Sequence, residues 1–384
     1  MRRSIRLAQT TALAAVLALS GSGAAKPLGA QESQIRTFPA QQGSRVEVSV
    51  TSSDIRVSVW QAAEIQVLVV GADPQHFSLQ QSGAVVRVQD NRRWGWRDAR
   101  LEIRVPSRID LDLQTRSGEI EVGGDVIGNV SIRTSAGDIR VGGIQGRLYA
   151  ATSGGDIEMG HLKGNGDVKT SGGDIDGRDI EGDFEAKTSG GRIRLGDVSG
   201  SLEAKTSGGG IEVGAVGADA DLKTSGGDVE VRSVAERASL RTSGGDIDLS
   251  GSAGPTIART SGGDIELNRI QAPSEVRTAG GDIEVGLVIE GNPGGESRIT
   301  TRGGEIVLRL QEGARATIEA RIEVKGRWER HQDEYKIASD FEAVSKQRDP
   351  KSGEVRARFE INGGGHRIVL ETSDGDITIR RGRL

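Results

Sequence analysis

A threonine recurs every 18 residues through the middle of this chain: Thr134, Thr152, Thr170, Thr188, Thr206, Thr224, Thr242, Thr260 and Thr278. Thr115 precedes the series by 19 residues. Thr301 follows it by 23, after the insertion EGNPGGE, and Thr372 heads an isolated last copy, TSDGDITI. Most copies open Thr-Ser-Gly-Gly-Asp-Ile, as in KTSGGDIDG from Lys169. A single period held this strictly restricts the fold to stacked, equivalent units.

The columns of the repeat give the secondary structure of each unit. Five residues after the threonine stand Ile139, Ile157, Ile175, Ile193, Ile211, Val229, Ile247, Ile265 and Ile283. Seven after it the column is apolar again, from Val141 to Val285, except at Gly177. The column between them is mostly charged, from Arg140 to Glu284. Apolar, charged, apolar is a strand with one buried face. A second strand closes each unit, with an inward column from Ala150 to Val276 and a basic column Lys169, Lys187, Lys205, Lys223, Arg241, Arg259 and Arg277. A second glycine corner, Gly146, Gly164, Gly182, Gly200 and Gly254, lies between the strands.

Helix is excluded, because a Gly-Gly recurring every 18 residues would be costly in helix interiors. The expected fold is all-β: a parallel β-solenoid with 18-residue coils, right-handed by default, with atypical β caps at both ends. Coils stacked at the strand spacing of ~4.8 Å give a rod on the order of 45–50 Å long. Aromatic residues make up 3% of the chain against 57 glycines, which suits thin stacked coils better than a globular core built on Phe, Tyr and Trp.

The repeated corner has two readings. In the structural one, Gly-Gly supplies a tight bend and the Thr and Ser hydroxyls bond turn amides or form ladders. In the rival one, the column Asp138, Asp156, Asp174, Asp228, Asp246, Asp264 and Asp282 holds calcium. The nine-residue calcium β-roll is a poor match, since each coil here has one Gly-Gly and the column is broken at Arg192 and Gly210. Stacked carboxylates ~4.8 Å apart repel by only about 0.9 kcal/mol in water, and the basic column across the corner is expected to offset that. No cofactor is expected, with calcium kept as the single alternative.

Residues 1–30 read as a signal peptide. Arg2, Arg3 and Arg6 precede an apolar run from Ala8 to Leu19, and cleavage is expected between about residues 24 and 30. Nothing later is apolar enough to span a membrane, so no integral segment is expected after cleavage. The chain has no cysteine and a net charge of −5, which rules out disulfides and gives no reason to expect nucleic acid. The expected location is the periplasm, the cell surface or the medium. Residues 35–106 are expected to form an N-terminal β-rich cap, 107–310 the solenoid, and 311–384 a C-terminal cap with a polar insertion around 326–353, either a looped-out hairpin or a mobile segment. TSSDIRV from Thr51 looks like a degenerate repeat.

VPSRIDLDLQTRSGEIEV from Val105, the TSGGDI copies and the ending NGGGHRIVLETSDGDITIRR resemble the bacterial adhesin-type domain family of β-strand repeats, whose function is largely unknown. The resemblance spans nearly the whole chain after the signal segment. It implies a β-solenoid on an exported protein and brings no catalytic residues with it.

Two readings of individual sites remain. NRRWGWRDAR places Trp94 and Trp96 beside Arg92, Arg93 and Arg97, either as a sugar- or polyanion-binding tip or as a hairpin covering the open end of the stack. His76, His161, His331 and His366 have no ligand spacing and read as exposed or incidental. No catalytic set is found. The expected function is that of a non-enzymatic, adhesin-like or envelope-associated scaffold binding a glycan, envelope polymer or protein. The alternatives are a solenoid that self-associates end to end and a carbohydrate-active β-helix enzyme.

Overall fold

The structure is a computed structural model that describes residues 34–90, 99–291, 295–324, 335–350 and 352–382. The signal-like segment, and the stretch holding Arg92, Arg93, Trp94, Trp96 and Arg97, lie outside the described residues, as does His331.

The chain is a parallel β-solenoid. Its described residues contain strands and one short 3-10 turn, Pro74–His76, and no α-helix. Each 18-residue unit makes one coil with three sides. The first face carries strands such as Ile139–Val141, Ile157–Met159 and Ile175–Gly177, each pairing in parallel with the equivalent strand of the next coil. The second face carries Leu148–Ala151, Gly166–Lys169, Phe184–Lys187 and their equivalents, paired residue for residue at an 18-residue offset. A narrow third side is built from two-residue strands such as Ile144–Gln145 and Leu162–Lys163, continued as single bridges through Val198, Val216, Val234, Ser252 and Ile270.

The core runs the length of the rod. Ile, Val, Leu and Ala from all three sides are essentially inaccessible to solvent, Ile139, Ile157 and Ile175 among them. This burial drives folding at roughly 25 cal/mol per Å² of apolar surface. The gap in the apolar column at Gly177 is filled by its neighbours: a Cβ there would sit 2.7 Å from Met159 Cε and 2.9 Å from Leu195 Cδ2. Gly166 makes room in the same way for the Phe184 ring.

The Thr-Ser-Gly-Gly corner is a hydrogen-bond ladder. Each buried threonine donates its hydroxyl to the carbonyl of the second glycine one coil back, as from Thr170 Oγ1 to Gly155 O (2.9 Å) and from Thr188 Oγ1 to Gly173 O (2.9 Å). The same hydroxyl accepts the amide of its own second glycine at 3.3–3.4 Å. The two glycines differ in purpose. A Cβ on Gly263 would lie 2.1 Å from Gly245 O, whereas one on Gly262 would lie 3.5 Å from Gly244 O. Neither has positive φ, so the second glycine is required by close approach between coils and not by a left-handed bend. Left-handed φ belongs to the other corner, at Gly146 (149°), Gly164 (137°) and Gly182 (156°).

Both ends of the stack depart from chain order. At the N-terminal end, Arg45–Ser49 and Asp54–Trp60 form a coil lodged between coil 110–123 and the strands Val85–Asp90 and Arg100–Pro106. At the C-terminal end, His366–Thr372 and Ile377–Arg381 lodge between Glu296–Thr300 with Ile306–Leu310 on one side and Ala316–Ile322 with Ile337–Ser339 on the other. The threonine ladder passes through both, from Thr115 to Ser53 O (3.1 Å) and from Thr372 to Gly304 O (2.9 Å). The two stray repeat copies are therefore full rungs placed out of order. Antiparallel strands finish each end: Gln34–Pro39, Glu64–Val70 and Phe77–Ser82 at one, Ser345–Arg348 and Val355–Ile361 at the other. Within the polar stretch 326–353, Ile337–Ser339 and Ser345–Arg348 are strands that extend the first and second faces.

Candidate functional site

The second face bears two outward columns two residues apart. One is acidic, Asp167, Glu185, Glu203 and Asp221; the other is the basic column from Lys169. They interlock into a zipper. Lys169 Nζ lies 3.0 Å from Asp167 and 3.2 Å from Glu185. Lys187 lies 2.5 Å from Glu185 and 2.9 Å from Glu203, and Lys205 lies 2.7 Å from Glu203 and 3.8 Å from Asp221. The basic column was expected to offset the aspartates across the corner. It pairs instead within its own face, because side chains two apart on a strand point the same way and reach the next coil as well. The lysine hydrogen bonds, from Lys205 first and Lys187 second, hold the Glu203 carboxyl at about 2. Glu185 is pulled down likewise, chiefly by Lys187.

A groove of about 890 Å³ runs along this face across successive coils. Asp167, Glu185, Glu203 and Asp221 line one side. Asn165, Asp183 and Asp219 line the other, where each Oδ1 accepts the amide of the next coil: Asp183 N at 3.2 Å, Ser201 N at 2.9 Å and Arg237 N at 3.0 Å. Tyr149 stands at one end, stacked under the Arg133 guanidinium at 4.6 Å, and Ile257 stands at the other. This Asx column was not read from the sequence, although Asn129, Asn165, Asp183 and Asp219 keep the 18-residue step.

The aspartate column at the Gly-Gly corner performs the same capping. Asp138 Oδ1 accepts Asp156 N (3.0 Å), Asp156 accepts Asp174 N (2.8 Å), Asp174 accepts Arg192 N (2.7 Å), and the pattern resumes through Asp228, Asp246, Asp264 and Asp282. These carboxylates thus have a local structural partner. Among the described residues, no group of three or more His, Cys, Asp or Glu side chains is placed to hold a metal ion.

The first face is unlike the second. Glu212, Glu230, Asp248, Glu266 and Glu284 follow one another in a single outward column. Arg309 meets Glu284 at 2.6 Å at one end. Partial burial, then the charges of Glu266 and Glu230, push the Asp248 carboxyl above its ordinary value. The reading of every histidine as exposed or incidental is corrected at His366. It is 3% exposed, and its Nε2 lies 2.8 Å from Ser297 Oγ, joining the lodged C-terminal coil to its neighbour. The sequence signal was available, because His366 opens an apolar-alternating strand.

The profile of the Toastrack DUF4097 family matches residues 44–214 and 196–380, and the chain belongs to that family. No curated protein sequence matches the chain. Among solved structures it is similar to a candidate adhesin from Bacteroides fragilis (8% identity, TM-score 0.25, 92% of this chain and 98% of that one). It is also similar to a candidate cell adhesion protein from Clostridium sporogenes (6%, 0.18, 91% and 99%). A third is a candidate lipid binding protein from Parabacteroides distasonis (12%, 0.19, 92% and 98%). Likeness at this level carries no argument about function.

Proposed function

We propose that this protein is an exported, non-enzymatic scaffold of the cell envelope that aligns an extended glycan along the groove of its second face. The observation that carries this reading is the groove itself: about 890 Å³, open along the coils, and lined on four successive rungs by the acids Asp167, Glu185, Glu203 and Asp221. A row of carboxylates at the coil spacing presents one kind of acceptor several times over, which suits a polymer better than a single small molecule. Export is supported by the signal-like residues 1–30.

The electrostatics favour binding over chemistry. A glycosidase needs a carboxylic acid kept protonated near neutral pH. The zipper does the opposite, holding Glu203 at about 2. The ends also speak against end-to-end self-association. The outer strand Ser345–Arg348 is exposed along its whole length and carries Lys346 and Arg348, charges of the kind that guard a sheet edge.

The test is a glycan array with purified protein lacking residues 1–30, followed by affinity measurements on the best polysaccharide. Tyr149→Ala and Ser201→Gln, at the end and middle of the groove, are expected to weaken binding at least about five-fold while the melting temperature holds. No polysaccharide ligand, or binding indifferent to both changes, would refute the groove.

A further inference from the structure

The zipper of the second face is complete only in its first half. Past Lys205 the acidic column reads Asp221, Ser239, Ile257 and Glu275, while the basic column continues as Lys223, Arg241, Arg259 and Arg277. Two of these cations keep a partner: Arg241 with Asp221 at 3.3 Å and Arg259 with Glu275 at 2.7 Å. Lys223 and Arg277, with Arg302 beyond them, are exposed and have no carboxylate within ion-pair distance among the described residues. The five cations line one concave seam of about 390 Å³ that also takes in the exposed hydroxyl of Ser243. The seam starts at Lys223, alongside the last rungs of the groove, and shares only Arg241 with it.

We infer that this seam is a binding site for a linear acidic polysaccharide bearing carboxylates along its length, separate from the groove. Spacing is the first reason. Lys223, Arg241, Arg259 and Arg277 come once per coil, ~4.8 Å apart, close to the advance of one sugar in an extended uronic-acid chain. Geometry is the second. Arg277 and Arg302, which no acid engages among the described residues, present planar forks suited to carboxylates, and a concave seam admits one strand of polymer but not a flat membrane. The chain around the seam supplies the third reason. Ile257 replaces an acid in the neighbouring column and is half-buried, offering an apolar patch beside the cations for the C–H face of a sugar ring. Asp246 and Asp264, beyond the corner, each tie one oxygen to a neighbouring amide. The acidic column of the first face disfavours nucleic acid, whose charge would meet Glu212, Glu230 and Asp248 over any wider footprint.

The experiment measures binding of the protein lacking residues 1–30 to polygalacturonate, a neutral glucan, polyphosphate and vesicles of anionic lipid. It compares the triple variant Lys223→Gln, Arg277→Gln, Arg302→Gln with a control of equal charge change, Arg36→Gln, Arg104→Gln, Arg108→Gln. The seam triple breaks no ion pair among the described residues, so its melting temperature is expected to match the parent. It is expected to lose about ten-fold or more in affinity for polygalacturonate and much of the salt dependence, with the control within about two-fold. Arg277→Lys, which keeps charge and loses the fork, is expected to fall between. Four outcomes overturn the inference. They are an unaffected triple, equal losses in triple and control, neutral glucan binding that the triple weakens as much as polygalacturonate binding, and tighter binding of polyphosphate or vesicles. Salt-sensitive self-association of the parent, abolished by the triple, would give the seam to the acidic face of a second copy instead. Because Tyr149 and Ser201 lie outside the seam, their variants should leave polygalacturonate binding intact, so this site and the groove can fail independently.

Discussion

The middle of the solenoid and its two ends are built from the same rung and assembled by different rules. In the middle, sequence order and stacking order coincide, and each coil touches the one before and the one after. At each end one coil is lodged out of order, between segments far from it in sequence. The middle is therefore modular, with stability close to a sum of near-neighbour terms. The ends are closures, where several segments must arrive together to cover the last coil.

The largest effect separating the two should come from deletion. Removing Thr170 to Lys187, one full period, keeps every column in register, and the shortened protein is expected to fold with a modestly lower melting temperature. Removing residues 363–384 takes out a rung of similar length and uncovers both Glu296–Thr300 and Ala316–Ile322. That variant is expected to aggregate or unfold. Circular dichroism melts and size-exclusion chromatography would decide, and equal tolerance of both deletions would erase the distinction.

The next effect lies within the corner. Gly263→Ala forces a methyl to 2.1 Å from Gly245 O, against backbone that cannot yield, while Gly262→Ala meets nothing closer than 3.5 Å. The first should cost several kcal/mol, on the order of 3 or more, and the second under about 1 kcal/mol. Denaturant titration of the two proteins would measure the difference. The chain itself varies the first glycine, with Ser117, Ala136 and Asp374 in that place, and keeps the second at Gly118, Gly137 and Gly375.

A smaller effect compares buried hydroxyls. Thr188→Val removes a donor to Gly173 O and should cost about 1–2 kcal/mol, as typical for a buried hydrogen bond. Ser297→Ala takes away the partner of His366 Nε2 at the lodged coil. It should cost a similar amount but act more on hydrogen-exchange protection of residues 366–381 than on the middle of the rod.

The smallest effect is electrostatic and has opposite signs on the two long faces. A carboxyl with a lowered folded pKa gives stability that is present above its unfolded value and lost as pH falls. For Glu203 that window runs from its ordinary value, near 4.5, down to about 2. Asp248, whose pKa is raised, costs stability when ionised and returns it as pH falls through the raised value. Glu203→Gln should thus destabilise slightly at pH 7, and Asp248→Asn should stabilise slightly. Both effects should be within about 1 kcal/mol, because the side chains are largely solvated. Melting curves at pH 7 and pH 3 would show the two differences shrinking together.

Much of this molecule was legible in its sequence, because the period is exact and the columns repeat. The coil, the inward isoleucines, the corner and even the two stray copies at Thr51 and Thr372 could be read directly. Their lodging between distant segments could not, since nothing local in TSSDIRV or TSDGDITI says which coils they enter. The partner of the lysine column was misread for a related reason. Sequence distance favours the aspartate five residues on, whereas the strand geometry favours the acid two residues back and its copy one coil away. The seam follows from the same columns, through what replaces the acids at Ser239 and Ile257.

The lodged coils also decide how the protein bears a load. A solenoid whose last rung is also its last stretch of sequence peels open when its terminus is pulled, one bond at a time. Here a pull on the strand Ile377–Arg381 is shared by Ile306–Leu310 and Ile337–Ser339, one on each side. Force along that strand must shear two ladders at once.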